Sequence, residues 1–379
     1  ADIREHAALQ DWVAHARVLS EGADDLEAAD LLGWVARYDR ERGAYRAAEA
    51  RYRRQMGIRE RFLGTEHPDT LTAMNNLAGT LWAQGDLAGA RAFEEQVLSV
   101  RRRVLGEEHP ATLTAMNNLA GTLGAQGDLA GARALDEQAL AVRRRVLGEE
   151  HPDTLTSMNN LAGTLRAQGD LAGARALHEQ ELAVCRRVLG EEHPDTLTSM
   201  NNLAHTLWAQ GDLAGARGLE GQVLAVRRRV LGEEHPATLT AMNNLAGTLG
   251  AQGDLAGARA LQEEALAVCR RILGEEHPAT LTAMNNLAGT LGAQGDLAGA
   301  RGLHERVLAV RRRVLGEEHP DAFASMNNLA ITLWKLGDAD RAQSLLEDAL
   351  ARCRRKLGEG HPTTLSLARN LAAMRGDGG

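Results

Sequence analysis

The sequence predicts an all-α solenoid of stacked antiparallel helical hairpins, and three observations predict it. His-Pro begins at His67, His109, His151, His193, His235, His277, His319 and His361, always 42 residues apart, and these eight sites use every proline in the chain. Within each interval, apolar residues recur at three- and four-residue steps in two stretches separated by Gly-Asp, the pattern of two helices joined by a tight turn. Phe, Trp and Tyr make up 3% of the residues while 44% are apolar, so the core is built from Ala, Leu, Val and Met, which suits closely packed helices better than a sheet. A single hairpin cannot bury its apolar stripes, so neighbouring hairpins must stack.

The unit that starts at His67 shows how each part forms. Pro68 fits the first helical position, where its missing N–H costs nothing, and it biases His67 towards an extended conformation. Leu71, Met74, Leu77, Ala78 and Leu81 mark the buried face of a first helix over 71–81. Gly85 and Asp86 supply a C-cap and an N-cap, so Gln84-Gly85-Asp86 is a very short turn. A second helix is predicted over 87–105, with Leu87, Ala90, Val97, Leu98 and Val104 inward and Gly106 ending it. Ala78 and Ala90 are small where the two helices approach, and a larger side chain there would overpack by ~1–3 kcal/mol. The units are nearly copies: residues 110–151 and 236–277 differ only at Asp136/Gln262, Gln138/Glu264, Arg143/Cys269 and Val146/Ile272.

Asn76-Leu77-Ala78 with Leu81, Gln84-Gly85-Asp86, Leu87 and Ala90 resembles the tetratricopeptide pattern. The 42-residue period, with Asn-Asn-Leu-Ala and a Leu-Gly before the next unit, is similar to the kinesin light chain type. The resemblance implies a right-handed superhelical solenoid. It covers residues 68–361 as seven repeats, and it is specific for a fold and weak for a function. The family's aromatic late in the second helix is absent here, replaced by Glu94, Asp136, His178, Glu220, Gln262, His304 and Leu346. Residues 26–67 fit the register in degraded form as an N-terminal capping repeat, with Gly33-Trp34 in place of Asn-Asn. Within residues 1–25, positions 3–19 read as one more helix. Within residues 362–379, Leu365–Met374 read as a C-terminal capping helix before an Arg-Gly-Asp-Gly-Gly tail. The chain begins without Met, and the expectation is a fragment of something larger or a processed product.

Composition narrows the function classes. The formal charge is -8 and no Lys/Arg cluster lacks acidic residues close by, so counterion release from nucleic acid has little to work with. No run of 18 apolar residues and no basic-then-apolar leader is present, and a soluble cytoplasmic protein without membrane contact is expected. Cys185, Cys269 and Cys353 occupy one position in alternate units, too far apart to pair or to share a metal, and read as partly buried packing residues in a reducing compartment.

The motifs of chemistry are missing. Gly121, Gly124 and Gly127 are followed by no Lys-Ser/Thr, so they form no phosphate loop, and His178-Glu179 and His304-Glu305 do not continue as His-Glu-x-x-His and read as solvated helix faces. Glu107-Glu108-His109 and its copies are spacing and capping devices before they are metal ligands. Arg101-Arg102-Arg103 complements a helix C-terminus, with Glu107 and Glu108 near enough to compensate it. No catalytic residue, metal or cofactor is predicted.

In tetratricopeptide arrays the first helix of each hairpin lines the concave surface. The matching positions here are Thr72, Asn75, Asn76, Gly79, Trp82 and Ala83, spaced to share one face. Across the units this gives a ladder of Asn76, Asn118, Asn160, Asn202, Asn244, Asn286 and Asn328. An amide both donates and accepts, so such a ladder can hold the backbone of an extended peptide. The alternative is that one Asn of each pair bonds the neighbouring helix and fixes repeat geometry, a role the Asn75 series fits as well as ligand contact. The position of Trp82 varies: Gly124, Arg166, Trp208, Gly250, Gly292 and Trp334 follow, and His205 and Ile331 replace the glycine beside Trp208 and Trp334. The tryptophans and Arg166 are candidate anchors, although drift after duplication explains the same variation. The leading expectation is a non-catalytic scaffold that binds a peptide or partner segment in this groove. The alternatives are a structural spacer that self-associates through its repeat ends and a sensor or autoinhibitory arm of a larger bacterial nucleotide-switch regulator.

Overall fold

A computed structural model describes residues 10–22 and 24–376, which form eighteen helices with no strand among the described residues. The chain divides into two compact units, Ala1–Gln126 and Gly127–Gly379. The first unit contains α1 (Gln10–Gly22), α2 (Leu26–Glu41), α3 (Tyr45–Leu63), α4 (Pro68–Ala83), α5 (Leu87–Leu105) and α6 (Pro110–Gln126). The second contains α7 (Leu129–Leu147), α8 (Pro152–Gln168), α9 (Leu171–Leu189), α10 (Pro194–Gln210), α11 (Leu213–Leu231), α12 (Pro236–Ala251), α13 (Leu255–Leu273), α14 (Pro278–Ala293), α15 (Leu297–Leu315), α16 (Pro320–Lys335), α17 (Ala339–Leu357) and α18 (Pro362–Arg375). Within each unit every helix packs on the next in sequence, the arrangement of a helical solenoid. The helix expected over 3–19 falls partly outside the described residues, as does the end of the C-terminal tail.

Local chemistry explains the regularity. From α4 onward each first helix has Pro at its start, and the preceding His caps it through the side chain: the His67 Nδ1 accepts from the Asp69 N–H at 3.2 Å, and the same bond recurs at His193 and His361. Each second helix from α5 onward is capped by Asp, and Asp212 Oδ1 accepts from the Gly215 N–H at 2.9 Å. Glycine gives the cap room at that third position, because a Cβ on Gly215 would lie 2.7 Å from Asp212 Oδ2. Where Arg341 stands there instead, the corresponding bond to Asp338 stretches to 3.4 Å. The second helices end at a glycine with positive φ, such as Gly190 at 90°.

The predicted core face of α4 is buried throughout, and Ala78 and Ala90 are fully enclosed at the helix contact. Val104 corrects the prediction for the second helix: it is 51% exposed, as are its counterparts Val146 and Val230 at similar levels, so the last turn directs this side chain to the surface. The three cysteines are free and fully buried, deeper than expected.

Candidate functional site

The first helices of the second unit present one polar face. Along α8, α10, α12, α14 and α16, the Asn160, Asn202, Asn244, Asn286 and Asn328 side chains are half-buried, while Arg166, His205, Trp208 and Trp334 project and are exposed. Ile331 is half-buried beside them. In the first unit Asn76 is half-buried, Asn118 exposed and Trp82 48% exposed. Across α12, α14 and α16 the face sinks into a cavity of about 460 Å³ lined by Asn243, Asn285, Asn286, Asn328, Ile331 and Lys335, a size suited to a side chain or a short stretch of chain. Gly247 and Gly289 leave its floor open, since a Cβ on either would meet no atom within 4 Å.

Some of the amides join repeats to one another. Asn202 Nδ2 donates to Asn159 Oδ1 at 2.7 Å, Asn328 to Asn285 at 3.0 Å, and Asn370 on α18 to Asn327 at 2.7 Å. Both members of the Asn pair therefore take part in inter-repeat rungs, which commits one donor of Asn202 and of Asn328. Asn243 instead donates to the Leu239 carbonyl of its own helix at 3.0 Å. The rungs at the Trp208 and Trp334 repeats are closed.

A second polar row lies behind the first. The residues that replace the family's aromatic are buried, and His178 and His304 are not on solvated faces as their sequence context suggested. His178 Nδ1 meets Thr206 Oγ1 at 2.9 Å, His304 meets Thr332 at 3.0 Å, and Thr164 donates to Asp136 at 2.8 Å. The partner threonine lies on the first helix of the following repeat each time, so a buried polar bond stands where an aromatic would pack. Burial drives the pKa of both histidines down to about 4, and for His178 the nearby charges of Arg166 and His205 add to the effect. Glu94 and Glu220 are raised by the same burial, partly offset by hydrogen bonds from Thr122 and Thr248. The threonine at every 42nd position was visible in the sequence and is the signal that could have revealed this row.

The triple arginines also divide their roles. Arg101 and Arg143 are buried; Arg143 donates to Ser157 Oγ at 2.7 Å and to the Asp153 carbonyl at 3.1 Å. The middle arginine reaches the Glu of its own exit loop, as in Arg186–Glu191 at 3.0 Å, and the last reaches the preceding repeat, as in Arg187–Glu150 at 2.6 Å. Among the described residues Arg166 and Lys335 form no such pair. The loss of hydration at the helix face and the Arg166 charge lower the pKa of His205, so the face carries positive and neutral groups in a protein of charge -8. No group of three or more His, Cys, Asp or Glu suited to a metal occurs among the described residues, and no described helix is long and apolar enough to cross a membrane.

Comparisons with known proteins agree with this architecture. The Tetratricopeptide repeat family profile matches residues 70–111 and overlapping stretches from 112 to 377. The nearly identical TPR-like repeats of a kinesin light chain candidate from Podosopora anserina are similar at 33% identity, over 54% of this chain and 97% of that one, with a TM-score of 0.48. A Rap protein complexed with competence and sporulation factor is similar at 12% identity, over 98% of both chains, with a TM-score of 0.52. The apo form of RapI matches at 12% identity over 76% of this chain and 98% of that one, with a TM-score of 0.53. No curated protein matches the sequence. With the repeat register, the capped hairpins and a profile match that runs through most of the chain, the protein belongs to the tetratricopeptide repeat family.

Proposed function

We propose that this chain is a non-catalytic, cytoplasmic interaction scaffold that holds an extended peptide or a partner's surface segment against the first-helix face of its second unit. The observation that carries the reading is the polar cavity across α12, α14 and α16, where half-buried amides, an open glycine floor and the unpaired Lys335 meet. Amides lining it offer both donors and acceptors to a peptide backbone, and Trp208 and Trp334 offer apolar anchors of the kind that dominate binding energy. The similar fold of a Rap protein crystallised with competence and sporulation factor supports a binding role for such an array. The residues assigned to the site are Asn160, Asn202, Asn244, Asn286 and Asn328 with Arg166, His205, Trp208 and Trp334; Asn76, Asn118 and Trp82 occupy the equivalent positions of the first unit. Ile331 and Lys335 are added because they line the cavity.

A peptide array probed with the full chain, and with a variant carrying Trp208→Ala, Asn286→Ala and Lys335→Ala, tests this. Trp208 and Lys335 are exposed and Asn286 lines the open cavity, so the variant should keep its helical circular dichroism. Loss of bound peptides in the folded variant is the expected result. Binding indifferent to the three changes would point instead to a spacer or to an arm of a larger regulator.

A further inference from the structure

The repeats of the second unit serve as controls for one another, and the junction between α9 and α10 alone combines Glu181 with two further departures, each of which recurs singly elsewhere. At the core position where Ala139, Val223, Ala265, Val307 and Ala349 are fully enclosed, this junction has Glu181, itself 6% exposed, with its Oε2 lacking any partner. At the next turn of α9, Cys185 takes the place where Arg143 and Arg311 bond Ser157 and Ser325 at 2.7 and 2.9 Å. Ser199, the corresponding serine, faces Glu181 closely enough to favour its ionised form, yet its Oγ meets no partner in hydrogen-bonding geometry. At the loop, Thr154, Thr238, Thr280 and Thr364 each donate to the preceding loop glycine at 2.7–2.8 Å, whereas Thr196 Oγ1, like Thr112 Oγ1 in the first unit, has no partner, and Ala322 stands at this position in the first turn of α16.

The other end of the same junction is well tied. His178 meets Thr206, Asn202 donates to Asn159, and Gln210 Nε2 donates to the Leu171 carbonyl at 3.0 Å. One interface is thus pinned near the α8–α9 turn and under-bonded near the loop that leads into α10. That is the construction of a hinge.

We propose that the loop end of the α9–α10 junction is a proton-controlled hinge in the second unit, closed while Glu181 is protonated and loosened when it ionises. Ionisation would place a carboxylate in an apolar seam with no cation to meet it. The groups that face it are Cys185 on α9, with Ser199 and Asp195 on α10, and Asp195 opposes the negative charge. Arg166 on α8 acts on His178 and His205. Burial, with a smaller contribution from Asp195, raises Glu181 to about 7, which puts the change near neutral pH. The folded pKa lies above the unfolded one, so closure is strongest at low pH and is lost as pH rises through about 7. Above that range His178 is neutral in both states and adds no slope. Because Arg166 lies on one side of the joint and His205 and Trp208 on the other, loosening alters their spacing; this consequence rests on the proposed groove, whereas the hinge does not.

The cysteines provide the test, since Cys269 and Cys353 occupy the equivalent position in two other junctions. Alkylation rates of all three thiols in the full chain, resolved by mass spectrometry of their peptides, are compared as the ratio of Cys185 to Cys269 and Cys353, which cancels intrinsic thiol ionisation. The expected result is that Cys185 reacts fastest and that its ratio rises about fourfold between about pH 6.5 and 8.5, the change that one carboxyl titrating near 7 imposes on opening. Glu181→Gln and Glu181→Val should remove that rise and leave Cys269 and Cys353 unchanged. A ratio independent of pH, a rise that persists in both variants, or a Cys185 as slow as Cys269 would overturn the proposal. No ligand enters the experiment, so its outcome stands whether or not the groove binds a peptide.

Discussion

At the residue scale, the buried titratable groups oppose one another. His178 and His304 are held neutral to about pH 4, so an unfolded chain binds two more protons than the folded one between about pH 4 and 6.5. Stability from these two groups is present above the upper limit and lost as pH falls through that window. Glu181 has the opposite sign, its contribution present below about pH 4.5 and lost as pH rises through 7. Replacing His178 with Gln, the residue its counterpart Gln262 already supplies, should reduce the acid-side loss by about 1–2 kcal/mol at pH 5, measured by urea denaturation at pH 5 and 8. Glu181→Val, which restores the residue found at Val97, Val223 and Val307, should stabilise the protein by about 1–3 kcal/mol at pH 8 and by much less at pH 4. Equal effects at the two pH values would show that packing, not ionisation, limits this seam.

At the scale of the element, the hairpin was legible in the sequence and the joint between hairpins was not. Proline with a preceding His, Gly-Asp at the turn and Leu-Gly at the exit each carry a local conformational requirement, so the boundaries of α4 and α5 follow from short windows. Val104 was misplaced because a helical stripe says which face is apolar but not where along the helix burial stops. His178 and His304 were misread for a related reason: their partners, Thr206 and Thr332, lie on the first helix of the next repeat, and a polar residue looks solvated until that partner is seen. The Asn159–Asn202 rung tests the inter-repeat role directly. A double-mutant cycle of Asn159→Ala and Asn202→Ala should give a coupling of about 0.5–1.5 kcal/mol, with no coupling between Asn159 and the distant Asn286. The cap is a second element-level test: Asp212→Ala should cost about 1 kcal/mol in thermal or urea unfolding, because the Gly215 N–H then loses its acceptor.

For the whole molecule, the strict period predicted a stack and the stack is present within each unit, since every repeat offers its neighbour the surface it needs. The candidate site was only partly legible. The Asn ladder stands out because it recurs in every repeat, and Trp208 and Arg166 because otherwise similar repeats differ there, whereas the cavity depends on several first helices converging with glycines on its floor, a property of packing that no single repeat displays. The central claim is that the first-helix face of the second unit receives the ligand. The most direct test is amide hydrogen exchange of the full chain with and without a peptide selected on the array. The account predicts added protection on α10, α12, α14 and α16 around Trp208, Asn286 and Lys335; protection confined to the second helices, around Val188, Val230 and their arginine neighbours, would contradict it.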